Sequence, residues 1–394
     1  MENFSEKVGV FLKTVGIICE YNPLHLGHKH QIDQIRSVCN SDDSIVCLMS
    51  GNYVQRGEPA VFHRSHRARA ALAAGADLVL ELPVTASLSS AEGFAYYGVS
   101  ILSGLCHKLC FGAECNDSTL LLKAAEALLS DAFSPALKEE LKKGISFPAA
   151  RQAALSKLGV DSQILSQPNN ILAVEYCKAI LSQNSPMKPM PILRRGNYHD
   201  ETPDPENPSA TSLRIKLSEG SSWLDFIPVE AHSCFSDAQI HTLSAGERAI
   251  LGRLKTMTDE EYALLPFGSE GLWRKLMHAA RKYSTLDEII NATKSKRYTR
   301  TRINRMILCG FLGITAADLS VPAPYVRVLA FNEKGRQILN QAKDTCNFVN
   351  IGESTDSPYQ ALETRCDRLY SLFSQQTPTV QPNERIYYKK DSSF

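Results

Sequence analysis

The sequence predicts an α/β protein in which a Rossmann-like, doubly wound parallel sheet is followed by a mainly α-helical C-terminal domain. Short apolar runs alternate with segments of helical spacing through the first half of the chain, which is typical of parallel strands joined by helices. This alternation is lost between residues 245 and 313, where helical periods dominate. A chain of 394 residues can form two or three domains, and we predict boundaries at 1–220 and 221–394.

The composition is that of an ordinary globular protein, with 43% hydrophobic and 22% charged residues. A net charge of +1 indicates no particular partner, so a nucleic-acid surface would have to be a local patch. No apolar run approaches the roughly 20 residues that span a bilayer, and the first residues lack a signal-peptide pattern. The eleven cysteines lack paired C-x-x-C knuckles. We therefore expect a cytoplasmic location, free thiols, no metal ligands and no membrane or protein partner.

The elements follow in order from apolar runs and helical spacing. Strands are predicted at 15–19, 44–50, 77–83 and 108–114, with helices after His28 and at 63–74, 91–105 and 118–129. An amphipathic helical stretch at 135–158, a helix at 171–181 and a late strand at 189–193 follow. Because ligands bind beyond the carboxyl ends of parallel strands, the loops that start at Asn22, Gly51, Pro83 and Gly112 should meet at one crevice.

The stretch from residue 14 to residue 36 organises this half of the chain. An apolar run is interrupted by Glu20-Tyr21-Asn22-Pro23, and His25-Leu26-Gly27-His28 then leads into a helix. Free N–H groups and the helix dipole make such a strand–turn–helix suitable for binding phosphate. Two imidazoles add donors suited to the charge of a phosphate chain. The alternative, that both histidines are ordinary turn residues, is less favoured in this setting.

A second candidate phosphate site is Ser209-Ala210-Thr211-Ser212-Leu213-Arg214, at the start of a predicted helix. Hydroxyl groups at a helix start, with an arginine one turn later, can hold phosphate oxygens. Taken alone, this stretch is more simply explained as a Ser/Thr helix cap. Its pairing with His25 and His28 favours the phosphate site.

The C-terminal half contains one dense basic run, at residues 294–305, without an interspersed carboxylate. On a helix, Tyr298, Arg302 and Arg305 would share a face, as a nucleic-acid contact requires. A solvated helix face is equally compatible with the composition. A small α/β coda is predicted at 325–351, followed by a last helix at 359–373 and a loose tail.

His-x-Gly-His after a first strand resembles the signature of the nucleotidyltransferase and class I synthetase superfamily, and Ser-x-Thr-x-x-Arg resembles its second motif. The ordered motifs EYNPLHLGH, MSGNYVQRGEPA, GADLVLELP, FGAE, PNNILAVEY and SATSLR, with KRYTRTRINRM later, resemble the tRNA(Met) cytidine acetate ligase family over nearly the whole chain. Two positions depart from that pattern: Leu26 stands where Asn is expected, and Ala173 where Gly is expected.

This resemblance implies a two-step ligase. Acetate would attack the α-phosphate of ATP to give acetyl-adenylate, and the acetyl group would pass to the wobble cytidine of elongator tRNA(Met), forming N4-acetylcytidine. His25 and His28 are then the catalytic residues, and Mg²⁺ is expected to accompany the nucleotide. The implied ATP-binding residues are Ile18, Cys19, Glu20, Tyr21, Asn22, Pro23, Leu24, His25, Leu26, Gly27, His28, Gly112, Asn169, Arg194, Arg195, Thr211 and Arg214.

The resemblance also suggests where the other two substrates bind. Ser50, Asn52, Gln55 and Arg56 are the candidates for acetate, with the arginine offering a fork for the carboxylate. A loop salt bridge is an equally good explanation of Arg56. The candidate tRNA-binding residues are Lys296, Arg297, Tyr298, Arg300, Arg302 and Arg305.

Two other functions are compatible with parts of the sequence. A small-molecule adenylyltransferase, acting on a phosphopantetheine-like or nicotinate mononucleotide-like substrate, shares the first and last motifs. It would not need a basic helical domain. A non-catalytic RNA-binding protein with a relict nucleotide fold is disfavoured by the intact His25, His28, Thr211 and Arg214.

Overall fold

A computed structural model describes residues 13–194, 204–205, 208–376 and 385–389 of the chain. Ten strands are present in this part. They are β1 (Thr14–Cys19), β2 (Ser44–Ser50), β3 (Tyr53–Val54), β4 (Glu58–Pro59), β5 (Leu78–Leu82), β6 (Lys108–Ala113), β7 (Lys188–Leu193), β8 (Val326–Phe331), β9 (Phe348–Asn350) and β10 (Tyr387–Tyr388).

Eight of these strands form one sheet, whose path is β10-β8-β5-β2-β1-β6-β7, with β9 also paired to β8. The five strands from β5 to β7 are parallel, whereas β8 runs antiparallel to β5. Because β1 lies between β2 and β6, successive connections leave it in opposite directions. The carboxyl ends of β1 and β6 therefore border a topological switch point, where such sheets bind ligands.

The helices associated with the sheet are α1 (Leu26–Val38), α2 (Arg64–Ala73), α3 (Val84–Ser87), α4 (Ala91–Ser103), α5 (Ser118–Leu129), α6 (Phe133–Leu141), α7 (Phe147–Lys157), α8 (Pro168–Ser182) and α9 (Ala210–Ser218). The strands are apolar because both faces of the sheet are covered. Ile18 belongs to a core shared with α4, α5 and α8, and its neighbour Ile17 belongs to a core shared with α1 and α2. Successive residues of a strand point to opposite faces, so one short run supplies both cores.

The second half contains α10 (Glu247–Thr256), α11 (Asp259–Ala263), α12 (Leu272–Lys282), α13 (Leu286–Thr293), α14 (Arg300–Leu312), α15 (Ala316–Ser320), α16 (Glu333–Ala342) and α17 (Pro358–Tyr370). Helices α10–α14 and α17 share a third core around Leu276, Ile303 and Leu308. Short 3₁₀ segments occur at Ser162–Leu165, Leu224–Phe226, Val229–Phe235 and Ser371–Phe373. None of the helices in the described ranges combines the length and apolar character needed to cross a membrane.

The predicted parallel α/β sheet followed by helices is confirmed, with three corrections. The stretch at 135–158 forms two helices, α6 and α7, rather than one. Residues 325–351, predicted as a separate coda, extend the central sheet through β8 and β9. The polar loop after β2 contains the hairpin β3–β4, whose strands of two residues are too short to leave an alternating pattern.

Candidate active site

A cavity of about 480 Å³ opens at the switch point, beside the carboxyl ends of β1 and β6. Its wall contains most of the residues that the sequence assigned to ATP. These are Ile18, Cys19, Glu20, Tyr21, Asn22, His25, Gly27, His28, Gly112, Asn169, Arg194, Thr211 and Arg214. The size suits a small-molecule ligand, since such sites usually measure about 300–1,000 Å³.

The two histidines of the first motif lie together at the start of α1. The chain leaves β1 at Cys19, turns, and enters the helix directly after His25. The rings of His25 and His28 stack with their centres 3.7 Å apart, and the backbone N–H of His25 donates to Nδ1 of His28 at 3.3 Å. The edge-on ring of Tyr21, at 4.9 Å, packs beside His28. This packing fixes both imidazoles at the positive end of the helix dipole.

His25 is only 2% exposed, and neither of its ring nitrogens has a hydrogen-bond partner among the described residues. Buried polar atoms are rarely left unpaired, so this pair of nitrogens indicates a place for a ligand oxygen. Burial, the nearby His28 and two arginines lower the pKa of His25 well below its usual value. Burial and Arg194 lower the pKa of His28 to about 3. Both rings are therefore neutral near pH 7 in the absence of an anion.

The second motif faces the first across the cavity. Ser209 precedes α9, and its hydroxyl accepts the backbone N–H of Ser212 at 3.0 Å. One turn later, the guanidinium of Arg214 donates to the backbone carbonyl of Asn22 at 2.9 Å and to the hydroxyl of Thr211 at 3.3 Å. The helix cap and the phosphate-site interpretation are thus compatible, because Ser209 forms the cap while Thr211 and Arg214 line the cavity.

A third group of polar residues lies at the ends of β6 and β7. Oε1 of Glu114 accepts the side-chain amide of Asn169 at 2.6 Å, and its Oε2 accepts the backbone N–H of Asn170 at 2.7 Å. The side-chain oxygen of Asn169 in turn accepts from Arg194 at 3.2 Å. Glu114 therefore fixes which way the Asn169 amide points. A Cβ on Gly112 would approach only the Arg194 side chain, at 3.9 Å, so the space it would occupy belongs to the cavity.

Two of the four candidate acetate residues line the cavity. Gln55 and Arg56 do so from the hairpin, whereas Ser50 and Asn52 are buried behind it. The side-chain oxygen of Asn52 accepts the backbone N–H of Arg64 at 3.0 Å, and its amide nitrogen donates to Asp367 at 3.3 Å. Ser50 and Asn52 are therefore not part of the cavity wall, and Asn52 links the start of α2 to α17 behind it.

Three members of the predicted ATP turn do not line the cavity. Leu24 is fully buried in the core that the sheet shares with α1 and α2. Pro23 and Leu26 also lie outside the cavity wall. Arg195 falls outside the described residues. Sequence reasoning missed other wall residues, including Val54, Glu58, Phe94, Phe111 and Tyr176. Phe111 and Tyr176 belong to the FGAE and PNNILAVEY motifs, but neither motif indicates which of its apolar side chains face a ligand, and Phe94 lies in no motif.

The charged side chains of the cavity wall have a net positive charge. Arg56, Arg194 and Arg214 contribute guanidinium groups, and Glu20 and Glu58 are the carboxylates among the described wall residues. Burial raises the pKa of Glu20, while the backbone N–H of Gln55 and nearby arginines oppose that rise. Three fixed cations and two neutral imidazoles form a site complementary to a polyphosphate. The described residues contain no cluster of three or more His, Cys, Asp or Glu side chains suited to a metal.

The basic run differs from its sequence interpretation in two respects. Helix α14 begins at Arg300, so Tyr298 precedes it and cannot share a helix face with Arg302 and Arg305. The guanidinium of Arg302 nevertheless lies 5.2 Å from the centre of the Tyr298 ring.

Carboxylates from other segments also balance part of the charge, as Arg297 pairs with Glu270, and Arg300 pairs with Asp287 at 2.5 Å. The run has no carboxylate of its own, but part of its charge is balanced by partners from α13 and from the turn before α12. Lys296 is exposed and forms no hydrogen bond or ion pair with the residues that the structure describes.

The parallel sheet, the paired histidines at the first helix and the opposing Thr211–Arg214 turn define a nucleotidyltransferase of the HIGH class. A family profile described as "HIGH Nucleotidyl Transferase" matches residues 12–385. A tRNA(Met) cytidine acetate ligase from Clostridium acetobutylicum is 36% identical, with 96% of this chain and 99% of that protein aligned. One from Clostridium kluyveri is 38% identical over 86% of this chain and 88% of that protein. The chain belongs to the tRNA(Met) cytidine acetate ligase family.

The fold is also similar to that of solved structures. Apo TmcAL from Thermotoga maritima superposes with a TM-score of 0.88 at 28% identity, covering 96% of this chain and all of that one. The same Thermotoga maritima protein bound with alpha-thio ATP superposes with a TM-score of 0.85 over the same shares of the two chains.

Proposed function

We propose that this protein is an ATP-dependent ligase that activates acetate as acetyl-adenylate and transfers the acetyl group to the wobble cytidine of elongator tRNA(Met). The observation that carries this proposal is the cavity in which His25, His28, Thr211 and Arg214 converge. Family membership and the structural relative bound with alpha-thio ATP support it. ATP and tRNA are both cytoplasmic molecules, so we propose that the protein works there.

In the first step, an acetate oxygen attacks the α-phosphorus of ATP, and the bond from that phosphorus to the bridging oxygen of pyrophosphate breaks. The protein's tasks are to align the reactants and to stabilise charge on the departing pyrophosphate. Arg214 and Thr211 would hold the β- and γ-phosphates from one side, with His25 and His28 on the other. Arg194 is the second cation in reach of the nucleotide, and Asn169 and Gly112 border the space for adenosine.

The neutral histidines suit this role because each can donate a hydrogen bond without bringing a second buried charge. A bound triphosphate would raise their pKa values from the lowered values of the free site, since an adjacent anion favours the protonated ring. The histidines can therefore gain positive character as negative charge develops on pyrophosphate. Arg194 and Arg214 remain charged throughout.

Acetate would bind beside the hairpin, where Arg56 offers two parallel N–H groups to a carboxylate. Gln55 supplies a neutral polar side chain at the same wall. Mg²⁺ would be held mainly by the phosphates of ATP and by water, which is how this ion usually accompanies nucleotides. Its chemical contribution would be to neutralise phosphate charge.

In the second step, the exocyclic N4 of cytidine attacks the acetyl carbonyl carbon, and AMP leaves. The tRNA would be held by basic residues of the helical region, with the exposed Lys296 and the half-buried Tyr298–Arg302 pair as candidates. Arg297 and Arg300 would exchange Glu270 and Asp287 for phosphate groups.

A small-molecule adenylyltransferase would need the same phosphate site, but it would leave the helical region unexplained. Two assays test the proposal. Acetate-dependent exchange of labelled pyrophosphate into ATP should report the first step, and acetate incorporation into tRNA(Met), with release of AMP, should report the second. Adenylylation of a phosphorylated metabolite with no response to acetate would overturn the proposal.

A further inference from the structure

The hairpin β3–β4 forms one wall of the nucleotide cavity and presents a carboxylate to it. Val54 and Glu58 are directly opposite in the antiparallel pair, so their side chains lie on the same face. Both residues line the cavity. The turn between them contains Gln55 and Arg56, the two candidate acetate residues that reach the wall.

The hairpin is held firmly from both sides. The backbone N–H of Gln55 donates to the carboxylate of Glu20 at 2.8 Å, and its carbonyl accepts from the Arg305 guanidinium at 3.2 Å. Gly57 has a φ of +76°, and a Cβ there would lie 2.3 Å from the backbone nitrogen of Arg305. The backbone that carries Glu58 is therefore fixed between the phosphate turn and α14.

A second, smaller cavity of about 120 Å³ shares Glu58 with the nucleotide cavity. Its apolar wall consists of Pro59, Val61, Ile240 and Leu243, and its polar wall includes Ser218, His241 and Thr242. Glu58 and Arg214 line both cavities. With a quarter of the volume of the nucleotide cavity, the smaller one can accept a single ring but not a nucleotide.

Glu58 is half-buried, yet its carboxylate forms no hydrogen bond or ion pair with any residue in the described ranges. The other carboxylate of the nucleotide cavity, Glu20, already accepts the Gln55 amide. The two imidazoles are poor bases, because burial depresses the pKa of both rings. Among the described wall residues, Glu58 is the group best placed to accept a proton.

The second step requires such a group. The lone pair of the cytosine N4 is delocalised into the ring, so this amine is a weak nucleophile that must lose a proton as it bonds to carbon. A carboxylate that accepts a cytosine N4–H also distinguishes cytosine from uracil, which has an oxygen at this position. A positioned general base contributes about 10²–10⁴-fold.

We propose that Glu58 accepts the N4 proton during acetyl transfer and that the smaller cavity holds the pyrimidine ring of the acceptor cytidine. This inference rests on the proposed function. The N4–C bond forms at the acetyl carbonyl, the bond from that carbon to the AMP oxygen breaks, and AMP leaves with the electron pair. The N4 proton goes to a carboxylate oxygen of Glu58.

The test measures activation and transfer separately in Glu58→Gln. Glutamine keeps the size of the side chain and one hydrogen-bonding oxygen, but it cannot accept the proton. Acetate-dependent pyrophosphate exchange should stay within about threefold of wild type. Single-turnover transfer, started by mixing tRNA(Met) with enzyme preloaded with ATP and labelled acetate, should fall about 10²–10⁴-fold.

Glu126→Gln, which changes an exposed carboxylate on α5, is the control and should alter neither step. Glu58→Asp retains a carboxylate one methylene shorter and should recover part of the transfer rate. Leu243→Trp should fill the smaller cavity and raise the tRNA concentration for half-maximal transfer at least about tenfold, with exchange unchanged.

Unaltered transfer in Glu58→Gln would overturn the proposal, as would equal losses in exchange and transfer at an unchanged melting temperature. If Glu58→Gln does not fold, transfer in Glu58→Ala that is as fast as in wild type would likewise contradict it. Normal transfer in Leu243→Trp would show that the cytosine ring does not bind in the smaller cavity. Absence of exchange in wild type would instead count against the proposed function.

Discussion

The guanidinium of Arg214 donates to the backbone carbonyl of Asn22 at 2.9 Å, although 192 residues separate them in the chain. This bond fastens the start of α9 to the turn between β1 and α1. The two halves of the proposed phosphate site are thereby held at a fixed separation. Such preorganisation reduces the cost of ordering the site during the reaction.

Replacing this arginine by methionine should therefore weaken ATP binding and slow activation together. Arg214→Met removes a cation from the proposed phosphate site and leaves the Asn22 carbonyl without this hydrogen-bond donor. We expect acetate-dependent exchange, measured as kcat/KM for ATP, to fall at least about 100-fold. Arg253→Met, which removes an ion pair with Glu261 on the helical region, is the matched control and should stay near wild type. Similar losses in both variants would show a general effect on folding.

His28→Ala should abolish adenylate formation while tRNA binding remains close to wild type. The imidazole lies at the start of α1 against His25, where it can donate to a phosphate oxygen. Removing one donor from such a site typically costs about 10²–10³-fold in rate. Pyrophosphate exchange measures the loss, and fluorescence anisotropy with labelled tRNA(Met) measures binding. If exchange survives within tenfold, the histidine does not contact the reacting phosphates.

The parts of this site that local sequence patterns encode could be predicted, and the parts that depend on long-range packing could not. The turn with His25 and His28 follows an apolar strand, and Arg214 follows a hydroxyl-rich helix start, so both carry their signals within a few residues. The antiparallel pairing of β8 with β5 joins segments about 250 residues apart, and no local pattern specifies it. The same holds for Asp287, which neutralises Arg300 from another helix.

Arg305 shows how packing changes a residue's expected role. The sequence grouped it with tRNA contacts, but its guanidinium lies 5.0 Å from the Phe267 ring and donates to the Gln55 carbonyl. Burial lowers its pKa to about 10, so it still carries its charge near neutral pH. Arg305→Met should lower acetate-dependent exchange about tenfold in the absence of tRNA, because the hairpin with Arg56 loses an anchor.

Arg365→Met is a matched control for that variant, since Arg365 also donates to backbone carbonyls, those of Leu312 and Gly313, away from the hairpin. It should leave exchange unchanged. Lys296→Ala should have the opposite effect to Arg305→Met. Exchange should remain normal, whereas tRNA binding should become weaker and less dependent on salt concentration. If Arg305→Met instead weakens tRNA binding and leaves exchange unchanged, Arg305 contacts tRNA, as the sequence analysis expected.

Stability should fall in acid partly because of His241. This residue is 3% exposed and stacks on Tyr370 with ring centres 4.1 Å apart, and burial lowers its pKa to about 4. In the unfolded chain its pKa would be near 6.5, so between about pH 4 and 6.5 the unfolded state binds the additional proton. The free energy of unfolding should therefore decrease as pH falls through this range.

Urea denaturation of His241→Asn at several pH values checks the size of this effect. Asparagine cannot take up a proton, so the slope of unfolding free energy against pH should be smaller than in wild type by up to about 1.4 kcal/mol per pH unit. His30→Asn, at an exposed position on α1, should leave the slope unchanged. Parallel curves for wild type and His241→Asn would mean that His241 is already protonated in the native state.

The last prediction concerns the buried ionic cluster that joins α17 to the sheet. Arg327 on β8 donates to Glu363 at 2.7 Å and approaches Glu81 and Asp367 at 3.3 Å each. Arg64 contacts the same Glu81 at 3.0 Å and Asp367 at 2.7 Å. Arg327→Met leaves these carboxylates buried with one guanidinium between them, and breaking a buried pair this way costs about 3–5 kcal/mol.

Arg336→Met is the comparison, because Arg336 is an exposed arginine of similar length that pairs with Glu333 at 2.6 Å within α16. An exposed pair contributes little to stability, since water solvates both charges once it is broken. Urea denaturation should therefore separate the two variants by at least about 2 kcal/mol. Since Asp367 also holds Asn52 behind the hairpin, Arg327→Met should lower exchange activity as well as stability. Equal stability of the two variants would show that Arg64 alone compensates the carboxylates, and that α17 is held to the sheet by its apolar contacts.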